Sequence, residues 1–331
     1  MFNKMENLSK GYLDIEIDPD INITGEIIKM RKEKNAVILA HFYQTGDIQD
    51  IADFVGDSLA LSREAAKSDA DIIVFAGVHF MAETAKLLAP GKKVLIPDLN
   101  AGCSLADSCP PDEFRKFVEA NPDRTVITYV NSTAEIKALT DIVCTSSNAF
   151  QIVESLPEDE KLIFAPDRNL GNYIKSRVDR DMLIWDGACH VHEEFSLEEI
   201  IKLKEKHPDA SIIVHPECEL PVRMIADFIG STGSMLKHVK NDDSTRYIVG
   251  TEPGILHQMK KACPGKTFIA APPKDSTCGC NECNFMKLIS LNKIYNTLKY
   301  ESPEVIMDEK IMDRAAQPII RMLEISDKLG L

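Results

Sequence analysis

The sequence predicts an α/β fold made of three copies of a β-α-β-α-β-α-β unit. Three short β-branched runs, VILAHFY, VITYVN and IIVHPE, end in polar side chains. Their marker residues, 88 and 86 positions apart, are His41, Tyr129 and His215. A hydroxyl follows each marker by 17 positions, at Ser58, Ser146 and Thr232. Three aligned strands with one shared offset indicate a true internal repeat, although its period exceeds that of a solenoid.

The remaining elements of each copy follow in the same order. After the first strand come a helical segment (DIQDIADF, TAEIKALT, PVRMIADF) and a second strand tip (FVGDS, IVCTS, FIGST). Third strands follow at DIIVFAG, KLIFAP and RYIVGTE, then helices at MAETAKLLA, NLGNYIKS and PGILHQMKKA, of which NLGNYIKS has the weakest pattern. The fourth strands are KVLIPD, MLIWD and TFIAAP. This alternation predicts parallel sheets with right-handed crossovers and helices on their faces.

The repeat sets the expected domain boundaries. We expect α/β domains at residues 36–110, 111–195 and 196–283. Residues 1–35 add an amphipathic helix (ITGEIIKMRKEK) expected to pack on the first domain. Residues 284–331 add C-terminal helices, the longer from about Glu304, expected to cover the sheet of the first copy.

Composition excludes several classes of protein. The 331 residues are 44% hydrophobic and 27% charged, with a net charge of −14, so a nucleic-acid partner is not expected. No apolar run approaches the roughly 20 residues needed to cross a bilayer. The first twenty residues mix both charges and lack an apolar signal core. These features favour a cytoplasmic protein without membrane or nucleic-acid partners.

Nine cysteines require an explanation in a reducing compartment, where metal ligation, catalysis and burial compete. The last strand of each copy leads to cysteine: Cys103, Cys189, and the run Cys278, Cys280 and Cys283. One thiolate from each copy could meet near a common axis and bind zinc or an iron–sulfur cluster. Repeat spacing favours Cys278 as the third ligand. The C-terminal run could also form a local metal knuckle or a redox pair.

Ten short motifs then carry a resemblance. HFYQ, GDSLALS, AGCSLADSC, TYVNS, TSSNA, WDGACHVHEEF, HPEC, GSTGSM, GTEPGIL and CNFMKL stand in order over most of the chain. The sequence resembles the quinolinate synthase family in these motifs. The resemblance implies three pseudo-symmetric αβα domains, each a three-layer unit with a small parallel sheet of about four strands, and an active site at their central junction. It also implies a [4Fe-4S] cluster held by Cys103, Cys189 and Cys283, which overrules the spacing preference for Cys278.

The resemblance further implies roles for the residues at the strand ends, where parallel α/β sheets bind ligands. The implied substrate contacts are His41, Ser58, Tyr129, Val130, Asn131, Ser146, His215, Pro216, Glu217 and Thr232. Glu217, His215 and Tyr43 are the candidate catalytic residues. Glu217 follows His215 by two positions on one strand tip and is predicted to be the general base, and Tyr43 stands in the same relation to His41. For His192, three residues after Cys189, a structural role is favoured over substrate contact.

The implied reaction condenses iminoaspartate with dihydroxyacetone phosphate to quinolinate, with loss of phosphate and two waters, for NAD biosynthesis. An aspartate-oxidising enzyme upstream is a conceivable partner. Two alternatives stay open: another [4Fe-4S] hydro-lyase, and a non-enzymatic iron or redox sensor. The PGKT segment at 264–267 lacks the glycine that a P-loop requires, and no GxGxxG follows a strand.

Overall fold

The computed structural model describes residues 8, 10–275 and 281–331, so Cys278 and Cys280 lie outside the described residues. Twelve strands form three sheets within these ranges. The first sheet contains β1 (Ala36–His41), β2 (Phe54–Gly56), β3 (Ile72–Ala76) and β4 (Lys93–Leu95). The second contains β5 (Thr125–Tyr129), β6 (Ile142–Cys144), β7 (Leu162–Ala165) and β8 (Met182–Ile184). The third contains β9 (Ser211–Val214), β10 (Phe228–Ile229), β11 (Arg246–Gly250) and β12 (Thr267–Ala270).

Helices connect the strands and flank each sheet. The helices that precede β5 in the chain are α1 (Ile23–Glu33), α2 (Gly46–Ile51), α3 (Ser58–Lys67), α4 (His79–Leu88), α5 (Ser104–Asp107) and α6 (Pro111–Glu119). The next are α7 (Ala134–Lys137), α8 (Ala149–Glu154), α9 (Arg168–Lys175), α10 (His190–Glu193) and α11 (Leu197–Lys206). The last are α12 (Leu220–Met224), α13 (Thr232–Asn241), α14 (Ile255–Ala262), α15 (Leu291–Tyr300) and α16 (Glu309–Lys328), with a 3₁₀ turn at Met286–Leu288 before α15. None of these helices is both long enough and apolar enough to span a membrane.

All three sheets share one topology. Their strand orders are β2-β1-β3-β4, β6-β5-β7-β8 and β10-β9-β11-β12, and every pairing is parallel. The central strands are buried on both faces, as in β3, where all five residues are buried. The predicted fold of three pseudo-symmetric αβα domains is therefore confirmed.

An aspartate at the equivalent position of each domain supports this topology. The backbone N–H groups of Ile38, Val126 and Ile212, in the three first strands, donate to the carboxylates of Asp53, Asp141 and Asp227 at 2.8–2.9 Å. Each aspartate N–H donates back to the carbonyl of the same strand residue. The pair fixes each second strand beside the first, so both strands reach the same edge of the sheet.

The C-terminal helices differ in part from expectation. Helix α15 packs on α1 and β3 of the first domain, as expected. Helix α16, however, begins at Glu309 and packs on α7 and β6 of the second domain as well as α4 of the first. One apolar core consequently runs through the first two domains. The second domain also has a separate apolar cluster, and the third has a cluster on each face of its sheet. The apolar stripe of α16 is long enough to reach both domains, which the sequence pattern alone does not reveal.

Candidate active site

The carboxyl ends of the strands of all three sheets meet around one cavity. The predicted site residues that line it are His41, Tyr43, Ser58, Tyr129, Asn131, Ser146, His215, Glu217 and Thr232, together with Cys103, Cys189 and Cys283. Val130 and Pro216 are buried but do not line the cavity. Among the described lining side chains, Asn131 Oδ1 is buried without a hydrogen-bond partner. His192 Nδ1 and Glu217 Oε2 are also buried without an aligned hydrogen bond, although they face each other at 3.2 Å. Such atoms indicate a ligand site, because buried polar groups are otherwise paired.

Two histidines occupy equivalent strand ends and present the same ring nitrogen to the cavity. The backbone N–H of Tyr43 donates to His41 Nδ1 at 3.2 Å, and that of Glu217 donates to His215 Nδ1 at 3.3 Å. Because Nδ1 accepts in each ring, the proton of the neutral imidazole lies on Nε2. Burial lowers the pKa of both His41 and His215 to about 3. Both rings are therefore neutral hydrogen-bond donors near pH 7.

The repeated hydroxyls stand where helices begin. Ser58 and Thr232 are the first residues of α3 and α13, each ten residues long. Both helices therefore direct their N-terminal ends at the cavity, where the helix dipole favours anions. Ser146 lies before α8 and is 3.2 Å from His215 Nε2.

Glu217 is the charged centre of the cavity and only 2% exposed. The Tyr129 hydroxyl donates to its Oε1 at 2.7 Å, and His192 Nδ1 lies 3.2 Å from its Oε2. Burial opposes ionisation of Glu217, but the facing His192 imidazole and the Tyr129 hydrogen bond outweigh it and hold the pKa of this carboxyl below its ordinary value. Burial and the negative charge of Glu217 raise the pKa of Tyr43 and Tyr129. Glu217 is thus an ionised carboxylate that can accept a proton, whereas the phenols of Tyr43 and Tyr129 stay protonated.

Each of the three cysteines opens a turn of helix. The carbonyls of Cys103, Cys189 and Cys283 all accept the backbone N–H four residues later. The three turns contact one another, since Ser104 Oγ is 2.6 Å from His190 Nδ1 and the His190 ring packs edge-on against Phe285 at 6.2 Å. In the described part of the chain, Cys283 is thus the third-domain counterpart of Cys103 and Cys189.

The thiols suit a soft metal centre larger than one ion. Burial raises the pKa of all three, that of Cys103 to about 12, so binding must displace their protons. Within the described ranges, the one group of three ligand atoms that lies inside 4.8 Å is Cys189, His192 and Glu217. The three sulfurs do not all lie within 4.8 Å of one another, yet they line one cavity, and this donor set fits an iron–sulfur cluster.

Comparison with known proteins agrees with these features. The family model described as quinolinate synthetase A protein matches residues 25–324. The chain belongs to this family. A quinolinate synthase from Synechococcus sp. is 56% identical over 309 residues, which are 93% of this chain and 97% of that protein. Quinolinate synthases from Nostoc punctiforme and Chloroherpeton thalassium are 56% and 54% identical, covering 97% and 95% of this chain and 97% and 98% of theirs. The resemblance found in the ten motifs is confirmed.

This member of the quinolinate synthase family also has cavity residues that sequence reasoning missed. The Ser147 hydroxyl is 2.9 Å from Asp57 Oδ2 and 2.8 Å from Ser231 Oγ, so one hydrogen-bonded cluster joins all three domains. A Cβ atom on Gly233 would lie 2.6 Å from Asp57 Oδ2, so a side chain there would displace the Asp57 carboxylate from its place between the first and third domains. The repeat arithmetic could have found Asp57 and Ser231, because each precedes a repeated hydroxyl.

The buried His41 predicts an acid-sensitive fold. The pKa of His41 is about 3 in the folded protein, below the ordinary value of 6.5. Between these pH values the imidazole is protonated in the unfolded chain but neutral in the folded protein. Stability therefore falls as pH drops below about 6.5, and His41 alone accounts for about 2 kcal/mol between about pH 7.5 and 5.0. When the pH falls from about 7.5 to 5.0, we expect the unfolding free energy of His41→Gln to decrease by about 2 kcal/mol less than that of the wild type. Urea denaturation at the two pH values measures the difference. His207→Gln, outside the cavity, should keep the wild-type slope, and equal slopes for all three proteins would contradict the prediction.

Proposed function

We propose that the protein is a quinolinate synthase that condenses iminoaspartate with dihydroxyacetone phosphate to quinolinate, releasing phosphate and two waters. The product feeds NAD biosynthesis, and an aspartate-oxidising enzyme supplies the imine. Membership of the quinolinate synthase family supports this proposal. The observation that carries it is the approach of three thiols, one from each repeat, to a cavity that also holds neutral imidazole donors and a carboxylate.

Cys103, Cys189 and Cys283 are the proposed ligands of a [4Fe-4S] cluster. When bound, a cluster with three protein ligands supplies an iron that acts as a Lewis acid in the dehydrations. The remaining chemistry falls to the side chains of this chain.

The substrates of this reaction are anions, and the cavity can bind them without a buried cation. His41 and His215 present Nε2–H donors, and Ser58, Ser146 and Thr232 add hydroxyls. The N-terminal end of α13, capped by the neutral Ser231, favours the phosphate or the carboxylates, whereas that of α3 is already capped by the Asp57 carboxylate. Asn131 Oδ1 is an acceptor that has no partner among the described residues and suits a substrate N–H or O–H.

Glu217 is the proposed general base. Enolisation and carbon–carbon bond formation require removal of a proton from carbon, and an ionised carboxylate whose second oxygen lacks an aligned donor can accept it. The Tyr129 hydroxyl donates a hydrogen bond to Glu217 Oε1, so Oε2 is the oxygen that takes the proton.

The assay of this function measures two products. Protein purified without oxygen, given iminoaspartate and dihydroxyacetone phosphate, should release quinolinate and phosphate in equal amounts. Brown protein that releases neither product but dehydrates another hydroxy acid would favour the other hydro-lyase. Cluster-loaded protein without any turnover would favour the sensor, and colourless protein with stoichiometric zinc would reject all cluster-dependent functions.

A further inference from the structure

The C-terminal helix α16 is joined to a turn at the edge of the cavity by a buried hydrogen bond. Ser326 in α16 and Asn148, which directly precedes α8, are both fully buried. The side-chain Nδ2 of Asn148 donates to Ser326 Oγ at 2.9 Å. The turn consists of Thr145, Ser146 and Ser147, which all line the cavity. Neither Asn148 nor Ser326 lines it, so both residues act on the cavity only through this turn.

The neighbours of the Asn148 amide fix its orientation. The backbone N–H of Thr145 donates to Asn148 Oδ1 at 2.7 Å, and a backbone N–H can only donate, so Nδ2 faces α16. The Ser326 hydroxyl donates to the carbonyl of Met322 at 2.8 Å, which leaves its oxygen free to accept from Nδ2. One end of the amide therefore holds the turn, and the other end is held by α16.

The turn places two hydroxyls of the cavity. Thr145 Oγ1 donates to Asn148 Oδ1 at 3.1 Å and accepts from the backbone N–H of Ser147 at 3.3 Å. The Ser146 hydroxyl then lies 3.2 Å from His215 Nε2, and the Ser147 hydroxyl joins the hydrogen-bonded cluster between the three domains. The positions of both hydroxyls therefore depend on the amide of Asn148.

The repeat shows why the second domain needs this support. In the first and third domains a ten-residue helix, α3 or α13, begins at the repeated hydroxyl, so helical hydrogen bonds fix the backbone there. In the second domain the six-residue α8 begins only at Ala149, and Ser146 lies in the turn before it. The counterparts of Asn148 are Ala60 and Ser234, which lie inside α3 and α13. Helix α16, which packs on β6 and α8, supplies the missing support.

We propose that Ser326 is a positioning residue of the active site: through the Asn148 amide, it holds the turn in the conformation that presents the Ser146 hydroxyl to substrate. This inference rests on the proposed function, in which Ser146 is a substrate contact. A turn that is already ordered spares the substrate the entropic cost of ordering it. The hydrogen bond between Asn148 and Ser326 therefore acts on substrate binding more than on the chemical step.

The test compares Ser326→Ala with Asn148→Ala and with the double variant in cluster-loaded protein. In Ser326→Ala the buried Nδ2 of Asn148 loses its partner, so we expect the KM for at least one of the two substrates to rise about 10-fold. Its kcat should stay within about threefold of the wild type, because the groups that react are unchanged. The double variant should have the KM of Asn148→Ala, since Ser326 acts through Asn148 alone.

Arg63→Gln is the matched control for the docking of α16. Arg63 in α3 pairs with Asp327 of α16 at 2.6 Å, so it holds the same end of the helix by a contact next to Ser326. The KM and kcat of Arg63→Gln should match those of the wild type, because the hydrogen bond of Asn148 remains.

Three results would overturn the inference alone. A wild-type KM in Ser326→Ala would show that the hydrogen bond supports only the fold. An equally raised KM in Arg63→Gln would show that the docking of α16 matters and not the bond to Asn148. A double variant with the sum of both single effects would show that Ser326 acts by another route. A wild-type protein that forms no quinolinate would instead reject the proposed function, and the inference with it.

Discussion

Serine in place of Cys103, Cys189 or Cys283 is expected to abolish both the cluster and turnover. Each thiol lies in the same kind of helical turn and faces the same cavity. Each substitution therefore removes one of the three proposed protein ligands. Loss of outer partners of a metal site already costs about 10- to 100-fold, and loss of a ligand should exceed that. Iron and sulfide content, together with the visible absorbance of protein purified without oxygen, measure the effect.

Cys109→Ser is the matched control, because Cys109 is buried in a separate apolar cluster of the second domain. It should retain iron, sulfide and activity. A full cluster in Cys283→Ser together with its loss in Cys278→Ser would contradict the ligand set proposed here and restore the residue that repeat spacing favours.

Glu217→Gln is expected to reduce kcat on the order of 10²- to 10⁴-fold, the usual contribution of a general base. The amide keeps the size of the side chain and an oxygen that can accept from Tyr129, but it cannot take a proton from carbon. Steady-state kinetics with a fixed cluster content measure the loss. The change also removes a buried charge, so folding should persist.

Glu219→Gln provides the comparison for Glu217, since Glu219 stands two residues later, is partly exposed and pairs with Lys274 on the surface. Its kcat should match the wild type. A Glu217→Gln enzyme that retains its cluster and at least about a third of wild-type kcat would exclude Glu217 as the base.

The repeat made the fold predictable from sequence. Strand, helix and hydroxyl recur at offsets of 88 and 86 residues, and buried parallel strands read as continuous apolar runs. The aspartates at 53, 141 and 227 follow the markers by 12 positions in every copy, so the same arithmetic could have found them. The contacts of α16 with two domains were not predictable, because an apolar helical stripe does not specify its partner.

The side chains that line the cavity were predictable where a residue type recurs in the three copies or stands in a family motif. Histidine, hydroxyl and cysteine positions were found in this way, and they lie around one cavity. Ser147 was not found because its counterparts are Leu59 and Gly233, so the pseudo-symmetry hides it. The contact of His192 with Glu217 joins residues 25 positions apart, and only the packing of the second domain on the third brings them together.

A crystal structure of protein kept free of oxygen, with iron located by anomalous scattering, tests the central claim most directly. We predict a four-iron cluster bonded to the sulfurs of Cys103, Cys189 and Cys283, with its remaining iron towards Glu217 and the histidines. A single ion between Cys189, His192 and Glu217, or iron bound by Cys278, would contradict the account.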